Sequence, residues 1–199
     1  LFRSRAGVRK LKEDYPNRSY KKLQVAKQAD VVVLFWLLED LFPEEVKRNS
    51  FYYYEERCVH ESSLSLCTYS ILAADMGERE TAYRLFGRAE RIDLGEKMDS
   101  SDEGIHAASL GGVWQCAVLG FMGIRLYHHR LRIIPHLPDT WRVAKVRIYW
   151  HGRPLLVTAS RSELVVEALD GGALGPIMTS RGVWDGNSRI YREVYGHDA

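Results

Sequence analysis

The chain has 199 residues, 46% hydrophobic and 27% charged, so it holds enough apolar material for one large or two small cores and is not disordered as a whole. Lys and Arg number 28 against 26 Asp and Glu, a net charge of +2 that lacks the electrostatic footprint of a dedicated nucleic-acid binder. The longest strongly apolar run, Val31 to Leu38, is too short to span a bilayer and is followed at once by Glu39 and Asp40.

Residues 1–22 hold eight basic residues, from Arg3 to Lys22, against Glu13 and Asp14. Such a run reads as a solvated flank, with an RNA- or membrane-facing arm as the alternative. LFRSRAGVRK has no signal-peptide core and no initiating Met, so a fragment or a processed piece is expected.

From about Tyr20 to Phe42 the pattern predicts one helix, with Asp40 near its end and Pro43 stopping it. VVVLFWLL alone would suit a buried strand; the apolar pattern through Val25, Ala26 and Ala29 is too long for one. Apolar nearly all round, the helix should be covered on both sides. Pro43-Glu44-Glu45 opens a second helix, which carries Val46 and the aromatic cluster Phe51 to Tyr54, read as core packing.

Ser62 or Ser63 is expected to cap a third helix running through Ala74, closed by Gly77 in a left-handed cap. Glu78 to Ile92 is amphipathic, with Ala82, Leu85, Phe86, Ala89 and Ile92 at helical spacing. A polar loop, Gly95 to Glu103, precedes a last helix from Ile105 to Gly120. Gly111-Gly112 inside it costs helix stability, which points to a close approach of backbone or ligand.

After Phe121 the period becomes two. Ile124 to Tyr127, a turn at His128-His129 and Leu131 to Ile134 make a hairpin; Val146 to Trp150 turns at His151-Gly152-Arg153-Pro154 and returns through Leu155 to Thr158. Glu163 to Leu169 is a further strand, and the tail from Ala173 is β or irregular. His128 and His129, neighbours in sequence, read as a turn and not as a metal site. Cys58, Cys67 and Cys116 have no CxxC spacing, so neither disulfide nor zinc is indicated and a reducing, cytoplasmic compartment is expected.

Three polar clusters open apolar segments: Lys27-Gln28, His60-Glu61-Ser62-Ser63, and His106 with Ser109. The first N–H groups of a helix lack internal partners and carry the positive end of its dipole, so such clusters suit a phosphate or a sugar hydroxyl. Taken singly each has a plainer reading: Lys27 solvated, the serines ordinary caps, His106 a structural histidine.

The runs VAKQADVVVLFWLLEDLF, FYYYEERCVHESSLS and DEGIHAASLGGVWQ, followed by RLRIIPHLPDTW and VRIYWHGRPLLV, occur in one order across residues 20 to 169. In these the chain resembles the C-terminal part of glycoside hydrolase family 65, which includes maltose, trehalose, kojibiose and nigerose phosphorylases. The resemblance implies a mostly α fold with a β module: residues 1–122 as the last helices of an (α/α)6 barrel, and residues 123–199 as a small antiparallel β domain. It implies inverting phosphorolysis of an α-glucosyl disaccharide to β-glucose 1-phosphate, with inorganic phosphate as co-substrate and no cofactor or metal. By the same resemblance Lys27 and Gln28 hold the glucosyl unit, Ser62, Ser63, His106 and Ser109 surround the phosphate, and His60 and Glu61 border that pocket in orientation or acceptor-side contacts to the substrate. The family's general acid, a Glu on an earlier helix, is expected upstream of this chain, so the segment alone is expected to be inactive and to need the missing N-terminal part. A homo-oligomer is expected, with no nucleic-acid or membrane partner.

Two other readings stay open. A trehalase-like hydrolase of the same family would place water and a carboxylate where phosphate binds, and Glu61 stands beside Ser62. A non-catalytic helical module is the other, because GERETAYRLFGRAERI looks like one helix of a tetratricopeptide repeat, although no second copy follows.

Overall fold

A computed structural model describes residues 25–60, 62–94 and 104–195. The basic arm, Glu61 and the whole Gly95–Glu103 loop lie outside the described residues. The chain divides into two compact units, Leu1–Cys116 and Ala117–Ala199.

The first unit contains helices α1 (Asp30–Leu37), α2 (Glu44–Glu55), α3 (Ser65–Asp75), α4 (Arg79–Ala89) and α5 (Ala107–Gln115). At its centre stands α3, in contact with each of the other four. Every residue from Ser65 to Ala74 is buried. The element covered all round is therefore α3, and the expectation that Val31 to Leu38 would be so covered is not met. In α1 only Val32 and Phe35 are buried, while Leu34 and Leu37 are exposed, as are Leu38 just beyond it and Leu41 in the short 3-10 turn that follows.

That helix is also shorter than its sequence predicts, because Val25 to Ala29 are not helical. Ala26 forms a parallel bridge with Cys58, its N–H donating to the Arg57 carbonyl at 3.0 Å and its carbonyl accepting from Val59 N–H at 2.9 Å. Backbone groups committed to that bridge cannot serve a helical ladder. The Tyr20–Gln24 stretch lies outside the described residues.

The third helix starts later than expected, at Ser65, and neither Ser62 nor Ser63 caps it. Ser62 Oγ instead accepts weakly from Leu64 N–H at 3.4 Å. Its other end is as predicted. Gly77 has φ +79°, and Glu78 and Gly77 N–H groups donate back to the Ala73 and Ala74 carbonyls at 2.9 and 3.1 Å, the double bond of a left-handed cap. In α4 the buried residues are Ala82, Leu85, Phe86 and Ala89.

α5 ends at Gln115 and the chain continues in π geometry over Cys116–Phe121. The two glycines differ: a Cβ on Gly112 would lie 2.7 Å from Cys67 Sγ, whereas one on Gly111 would meet open space. Only Gly112 answers to a close approach, and the neighbour is α3.

The second unit holds two four-stranded sheets, β1-β2-β6-β7 and β3-β4-β5-β8. The strands are β1 (Ile124–Tyr127), β2 (Arg130–Ile133), β3 (Val143–Trp150), β4 (Arg153–Ser160), β5 (Glu163–Ala168), β6 (Ile177–Thr179), β7 (Gly182–Trp184) and β8 (Ile190–Val194). All pairings are antiparallel except β2 with β6. Alternation places Leu155, Val157 and Ala159 of β4 and Leu164, Val166 and Ala168 of β5 in the core. Tyr127 pairs with Arg130 and Trp150 with Arg153, so both hairpins turn in two residues, His128-His129 and His151-Gly152, all with positive φ. That geometry matches the strands' right-handed twist.

The bridge between the sheets is polar. Glu193 of β8 is 2% exposed and accepts from Tyr191 Oη at 2.7 Å and from Ser180 Oγ, while Thr179 of β6 meets the same Tyr191 hydroxyl at 3.1 Å. Burial by itself would raise the Glu193 carboxyl, but the bonds from Ser180, Tyr191 and Thr179, with Arg181 nearby, hold it below its ordinary value.

Candidate functional site

Lys27 and Gln28 sit on the short extended stretch between the Ala26 bridge and α1, both exposed. With Asp30, Tyr54 and Tyr69 they line a cleft of about 280 Å³. Tyr69, from the middle of α3, is fully buried, with its hydroxyl beside the Cys58 thiol. Burial, with the Cys58 thiol and Tyr54 beside it, pushes the phenol well above its ordinary range. The group is a neutral O–H donor at any physiological pH.

His60 joins this cleft through Tyr69, the two rings meeting edge to face with centroids 5.0 Å apart. It holds a left-handed backbone, φ +50°, which carries a cost for a residue other than glycine. Glu61 lies outside the described residues. Ser62 and Ser63 follow, half-buried, in the turn that leads into α3.

His106 stands at the opening of α5, tied to Asp93. The carboxylate accepts from its backbone N–H at 2.9 Å and meets its Nδ1 at 2.5 Å. Those same two contacts, the side-chain one first, hold Asp93 below the usual carboxylate range, so Nδ1 carries the proton and the ring orientation is fixed. Ser109, one turn on, is 1% exposed; its hydroxyl has no partner among the described residues, and its carbonyl faces Cys67 Sγ at 3.9 Å.

The helix α3 is what these groups share. Its Tyr69 lines the Lys27 cleft, its Cys67 touches α5 at Ser109 and Gly112, and Ser62 and Ser63 precede its first turn. The openings of α1, α3 and α5 have no side-chain caps; at α3 Ser65 N–H donates to the Ser62 carbonyl at 3.1 Å, and at α5 Ser109 N–H donates to the His106 carbonyl at 2.8 Å. The Lys27 cleft offers an ammonium, an amide and a phenol hydroxyl, groups that bind sugar hydroxyls, whereas Ser62, Ser63, His106 and Ser109 are not among the residues that line it. Among the described residues no group of His, Cys, Asp and Glu could hold a metal ion, and no helix is long and apolar enough to cross a membrane.

Sequence reasoning missed Tyr54, Tyr69 and Asp93. Tyr54 belongs to an aromatic cluster whose pattern suits core packing, and Tyr69 sits in an apolar helix with no local mark. Asp93, at the end of an amphipathic helix, acquires its role only through a contact across 13 residues.

Comparison with known proteins bears on both units. A family model of the "Glycosyl hydrolase family 65 central catalytic domain" matches residues 2–115, and one of the family's C-terminal domain matches residues 124–177. The chain is 42% identical over 147 residues to a kojibiose phosphorylase of Halothermothrix orenii, covering 74% of this chain and 19% of the relative. It is 39% identical to an alpha,alpha-trehalose phosphorylase of Geobacillus stearothermophilus, over 77% of this chain and 20% of that one. To a maltose phosphorylase of Bacillus subtilis it is 36% identical, over 80% and 22%. A solved structure provisionally named as a kojibiose phosphorylase from the human microbiome superposes with a TM-score of 0.82 at 26% identity, covering 94% of this chain and 28% of that one. The chain thus spans about a fifth of the length of the curated relatives it matches.

Proposed function

The chain belongs to glycosyl hydrolase family 65, and from that membership we propose that it is part of an enzyme cleaving an α-glucosyl disaccharide by inverting phosphorolysis. What carries this reading is that relatives covering three quarters of the chain are named as phosphorylases of kojibiose, trehalose and maltose. The five helices then belong to an (α/α)6 barrel completed by chain beyond this segment.

In the reaction a carboxylic acid gives its proton to the glycosidic oxygen as the bond from the anomeric carbon breaks. A phosphate oxygen attacks that carbon from the opposite face, which inverts it and leaves β-glucose 1-phosphate and a free sugar. Phosphate is already an anion and needs no general base. It needs positioning and partial neutralisation.

Lys27 and Gln28 would hydrogen-bond the glucosyl hydroxyls, with Tyr69 as a further donor from the floor of the cleft and His60 and Glu61 at its border. Ser62, Ser63 and His106 would hold the phosphate, the imidazole aimed by Asp93, with Ser109 behind them. None of the carboxylates of this chain is assigned as the acid. Glu44 is paired with Lys47 and Glu39 is buried, and the acid is expected on a helix outside the segment.

The test is release of glucose 1-phosphate from a panel of α-glucosyl disaccharides by the complete enzyme, by Lys27→Ala in that enzyme, and by the 199-residue chain. Phosphate-dependent release that falls in Lys27→Ala and is absent from the chain alone supports the reading. Glucose release without phosphate would replace it with the hydrolase.

A further inference from the structure

The second unit carries a cleft of its own, about 200 Å³, where the two hairpin turns meet the Leu174–Pro176 segment. Its polar side chains are those of His129, Arg130, His151 and Arg153, and Trp150 completes the lining. Each offers N–H donors, and no carboxylate lines the cleft. Arg153 is committed: it binds Asp170 through Nε at 2.9 Å and Nη2 at 3.1 Å and also reaches the Ala173 carbonyl. That pair is neutral, so Arg130, exposed and without an ion pair among the described residues, leaves the cleft with an uncompensated positive charge.

The turns add a second observation. Two-residue turns with positive φ at both positions favour Asn or Gly, and a bulkier side chain there costs about 1 kcal/mol or more. Yet His129 holds φ +61° and His151 holds φ +49°, in two separate hairpins, and both line this one cleft.

We infer that this cleft binds a phosphate monoester dianion, with Arg130 as the charge partner, His129 and His151 as flanking donors, and Trp150 as the apolar wall. The volume accommodates a phosphoryl group with a monosaccharide ring attached or the inorganic ion alone, which share this chemistry. The inference does not rest on the phosphorolysis reading, since none of these residues belongs to the Lys27 cleft.

The test is titration of the 199-residue chain with β-glucose 1-phosphate, inorganic phosphate, glucose and sodium chloride at matched ionic strength, followed through the imidazole resonances. His129→Asn and His151→Asn assign those resonances and, because Asn tolerates the left-handed turn, preserve the fold. Saturable shifts of both histidines with a phosphate species are expected, unchanged in Lys27→Ala and weakened at least tenfold in Arg130→Ala. The double Asn variant should lose affinity while keeping its thermal stability, which holds the test open should Arg130→Ala misfold. Tighter binding of the ester than of inorganic phosphate would assign the site to a sugar phosphate, and equal binding to the free ion. No saturable shift, equal shifts with chloride or glucose, or shifts abolished by Lys27→Ala would overturn the inference.

Discussion

Asp93 grips His106 at two points, its backbone N–H at 2.9 Å and its imidazole Nδ1 at 2.5 Å, and so fixes both the start of α5 and the ring that stands there. The contact lowers the Asp93 pKa, so its contribution to stability is present above the ordinary carboxylate range and is lost as pH falls through the depressed value. Asp93→Asn should therefore melt below the parent chain at neutral pH, with the two converging in acid. Parallel melting curves at every pH would show the contact to be inert.

Gly112 and Gly111 make a matched pair. Gly112→Ala drives a Cβ to within 2.9 Å of both Cys67 side-chain atoms inside the packed core, an overpacking that costs about 1–3 kcal/mol. Gly111→Ala meets nothing and gains helix propensity, up to about 1 kcal/mol. Chemical denaturation of the two variants should give shifts of opposite sign.

Glu193 joins the two sheets of the second unit, and its hydrogen bonds are made to a charged acceptor. Glu193→Gln keeps the shape and loses the charge, at a cost of about 1–3 kcal/mol. Because the carboxyl is held below its ordinary value, that loss is full at neutral pH and shrinks as acid protonates Glu193 in the parent. Trp184, packed 5.1 Å from the Tyr191 ring, reports the transition by fluorescence. A loss that grows in acid would contradict this assignment.

Tyr69 gives a local test of the proposed sugar cleft. Tyr69→Phe preserves the ring contacts with Phe51 and His60 and deletes only the hydroxyl. In the complete enzyme kcat/KM for the disaccharide should fall about three- to tenfold, the value of one hydrogen bond. The deficit should vanish for the deoxy-sugar substrate that lacks the contacted hydroxyl; an equal deficit for all substrates would make Tyr69 a packing residue.

The amphipathic α4, the Gly77 cap and the strands of the second unit were legible because local periodicity and turn chemistry decide them. The starts of α1 and α3 were not: the first is set by the Ala26–Cys58 bridge, a contact 32 residues away in sequence, and the second by a turn at Ser62 in place of a side-chain cap. Burial was misread for a related reason. Val31–Leu38 is the more apolar of the two runs, since Leu66–Ala74 includes Thr68 and Ser70, yet tertiary packing selects the latter for the centre. Of the site, the polar clusters at helix openings were visible as residues, but the partners that orient them, Asp93 and Tyr69, came into view only with the fold.

The full burial of α3 has a kinetic meaning. Amides from Leu66 to Ala74 should exchange with solvent only when the whole first unit opens, while α1, with its bare leucine face, frays on far shorter times. Ser62 and Ser63 hang directly from that slow core. A ligand held there meets groups whose positions have already been paid for in folding entropy, so binding need order little more than the ligand itself.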